Sequence, residues 1–158
     1  MIIVSDTSSI SNLLQIGLID ILHVLYGEIT ITPAVRRELY HLPDQEKQIE
    51  QMDWIKVKAP QDQGMIVQLL EEIDLGEAES IVLAMEEQAK YLIIDEYKGR
   101  MIADSYGIKI VGILGVLIQA KQKEAISAVK PHIDQLIEIG FRLDKKLIER
   151  VLKGLGEL

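Results

Sequence analysis

Short apolar runs that close on acids recur along this chain, separated by longer stretches of helical periodicity. Ile2-Ile3-Val4 leads into Ser5 and Asp6, and Tyr91-Leu92-Ile93-Ile94 leads into Asp95 and Glu96. Runs this short, bounded by polar residues, have the form of strands buried on both faces. After Asp6, the segment Thr7 to Gln15 places Ile10, Leu13 and Leu14 at helical spacing and ends at Gly17; Leu18 to Tyr26 repeats the pattern and stops at Gly27. Glu28 to Thr32 reads as a strand, and Pro33 opens a helix to about His41, where its missing N–H costs nothing. A helix over Asp44 to Met52 and a strand over Trp54 to Val57 follow, then a connector from Ala59 to Gly64. The remainder predicts helices over Met65–Glu72, Gly76–Gln88, Lys98–Tyr106, Gly112–Lys123, Pro131–Gly140 and Asp144–Leu152, with strands at Tyr91–Ile94 and Lys109–Val111.

Strands alternating with helices predict an α/β fold: one domain over residues 1–158, three layers (α/β/α), with a short parallel sheet of four to five strands. In such sheets ligands bind just beyond the carboxyl ends of the strands, which is where Asp6 and Asp95 fall. A bland alternative exists for Asp6, since an acid there also caps the helix that follows.

Composition narrows the class. Hydrophobic residues make up 48% and charged residues 27% of 158, a balance that buries a core and excludes disorder. With no cysteine there is neither a disulfide framework nor a thiolate metal site. The start shows no signal-peptide pattern, and apolar stretches such as Ile16 to Tyr26 are broken too soon for a membrane span, so the chain is expected in the cytoplasm. A net charge of −8 and only 4% aromatics disfavour a nonspecific nucleic-acid binder, although the pairs Arg36-Arg37 and Lys145-Lys146 are placed to meet phosphates locally.

Two helices carry acids at the margin of their apolar sides. Ala34, Val35 and Leu39 define the buried arc of the helix from Pro33, and Glu38 projects into it while Arg36, Arg37 and Tyr40 point elsewhere. In the helix from Gly76, Ala78, Ile81, Val82 and Met85 set the buried side; Glu77 borders it and Glu79 points towards solvent. Acids in a first helical turn also simply complement the macrodipole, so neither glutamate is decisive alone. Four acids nevertheless stand apart: Asp6, Glu38, Glu77 and Asp95. Gathered in one cleft they would repel and raise each other's pKa values, a conflict that a hard divalent cation removes. An all-carboxylate set favours Mg2+ or Mn2+ over zinc.

These segments, in this order, resemble the PIN-domain family of small metal-dependent ribonucleases that includes VapC-type toxins. The resemblance is carried by Val4-Ser5-Asp6-Thr7-Ser8, Thr32-Pro33-Ala34-Val35-Arg36-Arg37-Glu38-Leu39, Leu75-Gly76-Glu77-Ala78-Glu79-Ser80-Ile81, Leu92-Ile93-Ile94-Asp95-Glu96 and Gly107-Ile108-Lys109-Ile110-Val111-Gly112. It implies a PIN-like fold and metal-assisted hydrolysis of RNA, with Asp6, Glu38, Glu77 and Asp95 as ligands and Ser8 orienting the first ligand or the scissile phosphate. Glu79 is the alternative to Glu77, and Glu96 replaces or assists Asp95. Arg36, Lys98 and Arg100 are the cations nearest in sequence and are candidates for the phosphate backbone. A toxin of this kind has a separate antitoxin protein as partner. Two rival readings are a non-catalytic PIN-like module that binds RNA or protein, and a Mg2+-dependent haloacid-dehalogenase-like phosphatase. The latter needs a second aspartate where Ser8 stands. The apolar helices Leu18–Tyr26 and Gly112–Lys123 carry more hydrophobic surface than one face needs, which suggests a homodimer or, equally, fully covered core helices.

Overall fold

The computed structural model describes residues 1–41 and 43–158. Among these, the elements run β1 (Ile3–Ser5), α1 (Thr7–Gln15), α2 (Asp20–Tyr26), β2 (Ile29–Ile31), α3 (Pro33–Leu39), α4 (Pro43–Glu50), β3 (Ile55–Val57), α5 (Gln63–Leu69), α6 (Leu75–Glu86), β4 (Tyr91–Ile93), α7 (Tyr97–Ser105), β5 (Ile110–Val111), α8 (Ile113–Gln122), α9 (Lys130–Glu138) and α10 (Lys145–Gly154). No helix among the described residues is long and apolar enough to cross a membrane.

The strands form one parallel sheet in the order β3-β2-β1-β4-β5. The chain builds outward from β1 through β2 and β3, then returns to add β4 and β5 on the other side. The reversal falls between β1 and β4, which pair Ile3 with Tyr91, Val4 with Leu92 and Ser5 with Ile93. Such a reversal opens a crevice at the carboxyl ends of the two strands, because the chains leaving them diverge to opposite faces. Asp6 and Asp95 lie just past those ends.

Alternation along the strands builds the layers. Ile3, Ile29, Ile31 and Ile93 enter a core with α1, α2, α3, α8, α9 and α10, whereas Val4, Leu92 and Ile94 enter a second core with α5, α6 and α7. Successive side chains of a strand point to opposite faces, so adjacent residues serve different cores. The expected parallel α/β/α sandwich is present, with five strands.

Element boundaries moved where a cap overrode the apolar pattern. Helix α5 begins at Gln63, two residues ahead of its first apolar residue Met65, because Asp62 accepts from Met65 N at 3.0 Å. Helix α6 begins at Leu75 because Asp74 accepts from Glu77 N at 2.9 Å. Part of the apolar surface of two helices is buried within the chain, while Val24 on α2 stays 62% exposed. Helix α2 packs on α8, burying Ile21 and Leu22 with Val116, Leu117 and Ala120, and Tyr26 donates to Gln119 Oε1 at 2.6 Å.

Candidate active site

Asp6 is both the cap and the deepest acid. It sits at the N-terminus of α1, 3% exposed, with Oδ1 accepting from Ser9 N at 3.1 Å and Oδ2 from Ser8 Oγ at 3.3 Å. Its own N–H donates to Ile93 O at 3.0 Å, which ties it to β4. Asp95 accepts from Ser9 Oγ at 3.0 Å and from Ile113 N, at the start of α8, at 2.9 Å. Ser9 thus gives its N–H to one aspartate and its hydroxyl to the other. Burial, and then the charge of Asp95, push Asp6 up to about 7. Burial also raises Asp95, against the opposing pull of Ile113 N–H, Ser9 and Arg100.

Two glutamates reach the same place from helices. Glu38, half-buried on α3, accepts a hydrogen bond from Thr7 Oγ1. Glu77, half-buried in the first turn of α6, is pushed up to about 8, first by burial and then by Asp74, Asp6 and Glu96 around it. Its Oε2 is buried without a hydrogen-bond partner. A cavity of about 360 Å3 is lined by Asp6, Ser8, Glu38, Asp74, Glu77 and Glu96 together with the neutral side chains Thr7, Ser11 and Asn12. No cation lines it.

Three of the acids rest against bare glycine backbone. A Cβ on Gly76 would stand 2.7 Å from Glu38 Oε1, one on Gly99 would stand 2.6 Å from Glu77 Oε2, and one on Gly112 would stand 2.8 Å from Asp95 Oδ1. Contacts that short are not tolerated, so each carboxylate occupies space that any other residue would take from it. The sequence reading missed these glycines, although Gly76 precedes Glu77 and Gly112 immediately follows β5. It also missed Ser9, Thr7 and Asp74. The pattern Asp74-x-x-Glu77 is a capping-box spacing and was a legible signal.

Other expected site residues are distributed unevenly. Ser8 and Glu96 line the cavity, and Lys98 lines an adjoining depression with Asp74, Glu77 and Glu96. Arg100 donates to Ile94 O at 3.1 Å and lies beside Asp95, outside the cavity. Arg36 is turned outward over the Tyr40 ring at 6.0 Å and is not brought to the acids. Glu79 needs correction: it does not point to solvent but accepts from Ala34 N at 3.0 Å, because α6 packs on the first turn of α3, whose N–H groups are free.

The donor set suits a hard cation. Every group facing the cavity offers oxygen, burial and neighbouring acids make two of the carboxyls hold protons tightly, and Glu77 Oε2 is buried without a partner. Among the described residues no three acids already close on a single point as a metal would require of an all-protein cage. A cation that keeps several of its own waters does not require that closure. The haloacid-dehalogenase arrangement is disfavoured, since Ser8 donates to Asp6 and has no carboxyl to act as acid or base.

Compared with known proteins, residues 2–157 match a family model described as a PIN domain. No curated protein matches the sequence.

Proposed function

The chain belongs to the PIN-domain family, a nuclease-type fold, and from that premise we propose that it is a ribonuclease that hydrolyses RNA phosphodiester bonds with Mg2+ or Mn2+. What supports this above all is the concentration of acids around one cavity: Asp6, Glu38, Glu77 and Glu96 face it, Asp95 is joined to Asp6 through Ser9, and among the described residues no cation lines it. Burying such groups without a partner is costly, so the arrangement makes sense for an ion taken from solution.

Asp6 and Asp95 would hold the cation, with Glu38 and Glu77 holding its waters and Glu96 assisting Asp95. When bound, a hard divalent ion supplies Lewis acidity to a phosphoryl oxygen and lowers the pKa of water. The rest falls to the chain. Thr7 fixes the rotamer of Glu38 by donating to Oε2. Ser9 fixes Asp6 and Asp95 relative to one another. Glu77, a cavity-lining carboxyl raised to about 8, takes the proton of the attacking water. The Ser8 hydroxyl on the cavity wall donates to Asp6 Oδ2 and so orients that ligand. A toxin paired with a separate antitoxin protein is the biological role this activity fits, and arrest of growth on induced expression tests it.

Incubating purified protein with RNA in Mg2+, Mn2+ or chelator tests the chemistry directly. Cleavage should require the metal, and Asp6→Asn should reduce it at least about a hundredfold. Equal cleavage in chelator, or by the Asp6→Asn variant, overturns the reading.

A further inference from the structure

The acid cavity has one neutral wall, and all of it comes from a single helix. Thr7, Ser8, Ser11 and Asn12 stand three and four residues apart on α1 and line the cavity, while the opposite face of the helix buries Ile10, Leu13 and Leu14 in the core. Every other residue lining the cavity is an acid. The two hydroxyls nearest the start of the helix are committed to those acids: Thr7 donates to Glu38 and Ser8 to Asp6. Ser11 and Asn12, both half-buried, lie beyond them.

Ser11 is arranged to give a proton and nothing else. A hydroxyl has two lone pairs and one proton. The Ser11 oxygen accepts from Gln45 Nε2 at 2.9 Å and from Gln15 Nε2 at 3.2 Å, which fills both lone pairs. Among the described residues no acceptor meets its proton. Gln45, on α4, is only 5% exposed, and an amide is costly to bury unless it is hydrogen-bonded; the bond it makes holds Ser11 in place. Asn12 brings an amide, with its acceptor and two donors, to the same wall, and among the described residues that amide has no partner.

We infer that Ser11 and Asn12 are specificity-determining residues that recognise a ribose 2′-hydroxyl of the substrate, Ser11 donating to its oxygen and Asn12 Oδ1 accepting its proton. The inference rests on the ribonuclease reading and deepens it. A 2′-hydroxyl is both donor and acceptor, and it is the group by which a protein tells RNA from DNA. A phosphate is the poorer occupant, since it only accepts and would face a cavity of acids. So is a base, because no aromatic ring lines the cavity to take its face. At 1.5 Å per residue, Ser11 and Asn12 lie about 8–9 Å along the helix from Asp6, within reach of a sugar beside the attacked phosphate rather than of that phosphate itself.

Anisotropy of labelled oligouridine and oligodeoxyuridine of equal length, in chelator, reads binding apart from cleavage and holds base and charge constant. Native protein should bind the ribose strand about tenfold more tightly or better, since both hydrogen bonds go unmade with the other. Asn12→Ala and Ser11→Ala should each weaken binding of the ribose strand about three- to tenfold and leave the deoxyribose strand as it was. Because Ser11→Ala leaves the Gln45 amide unmet, the double variant Ser11→Ala/Gln45→Met removes both partners; it should show the same loss with thermal unfolding close to native. Native protein that binds the two strands equally, or binds neither, overturns the inference. So do variants that lose both strands alike, the result expected of a phosphate or base contact. Cleavage of oligouridine by native protein in Mn2+, with the ribose preference intact in the variants, removes this inference alone. A ribose preference that falls in the variants, with no cleavage by native protein in Mg2+ or Mn2+, leaves the wall standing and removes the ribonuclease reading.

Discussion

Two sets of carboxylates in this molecule are withdrawn from water, and they are treated in opposite ways. Glu157, in the tail after α10, would be raised by burial, yet its partners take it down to about 2. Lys121 Nζ donates to it at 2.7 Å, and the N–H groups of Val129 and Lys130 each donate at 2.9 Å. Lys121 also donates to Leu155 O at 3.0 Å, so one cluster pins the end of the chain to α8 and to the start of α9. Asp6 and Glu77 are in no ion pair among the described residues and are raised to about 7 and 8. A carboxylate with its counter-charge built in holds structure together. A group of them without one strains the fold until something charged arrives, and that strain is the signature of a site.

The contrast has a sign in pH. Asp6 and Glu77 bind protons more tightly in the folded chain than in the unfolded one. Their contribution is complete below about pH 4 and is lost as pH rises through about 7 and 8. Glu157 runs the other way: its contribution is present above about pH 4.3 and lost as pH falls towards 2.

The largest effect that would sharpen this comparison comes from the missing charge itself. Mn2+ or Mg2+ at about a hundred times its Kd should stabilise the protein by about 2.7 kcal/mol, or about 5–10 °C in Tm. The gain should be larger at pH 8 than at pH 5, because protons compete for the same oxygens. Calorimetry without a metal-dependent shift would break the comparison. Next, Glu157→Gln should cost about 2 kcal/mol at pH 7, and thermal unfolding of that variant should respond less to acid below pH 4 than native protein does. Asp6→Asn should do the reverse of a normal core polar substitution: in chelator at pH 8 it should raise stability, on the order of 1–2 kcal/mol, with little change at pH 4. Smallest in stability is Gly76→Ala. The added Cβ meets only the flexible end of Glu38, so Tm should move by less than about 1 kcal/mol's worth. RNA cleavage should still fall about tenfold, because Glu38 loses its seat. A variant with native cleavage would show that the bare glycine is incidental.

Much of this was legible in sequence because it is local. The alternation of short apolar runs with helical periodicity determined the parallel α/β sandwich, and an acid directly after each of two such runs determined that Asp6 and Asp95 would lie at strand ends. Periodicity also marked Glu38 and Glu77 as acids at the margin of buried faces. The resemblance carried by those segments led to the family that the match over residues 2–157 shows.

Tertiary structure decided what those acids touch. The fate of Glu79 depended on α6 packing against α3, and the Ser9 bridge depended on the pairing of β1 with β4. The glycine seats under Glu38, Glu77 and Asp95 likewise join residues from different parts of the chain. The physical reason is the range of each interaction. Periodicity and capping act over a few residues and can be read along the chain, whereas counter-charge, desolvation and excluded volume are set by neighbours that only the folded topology supplies.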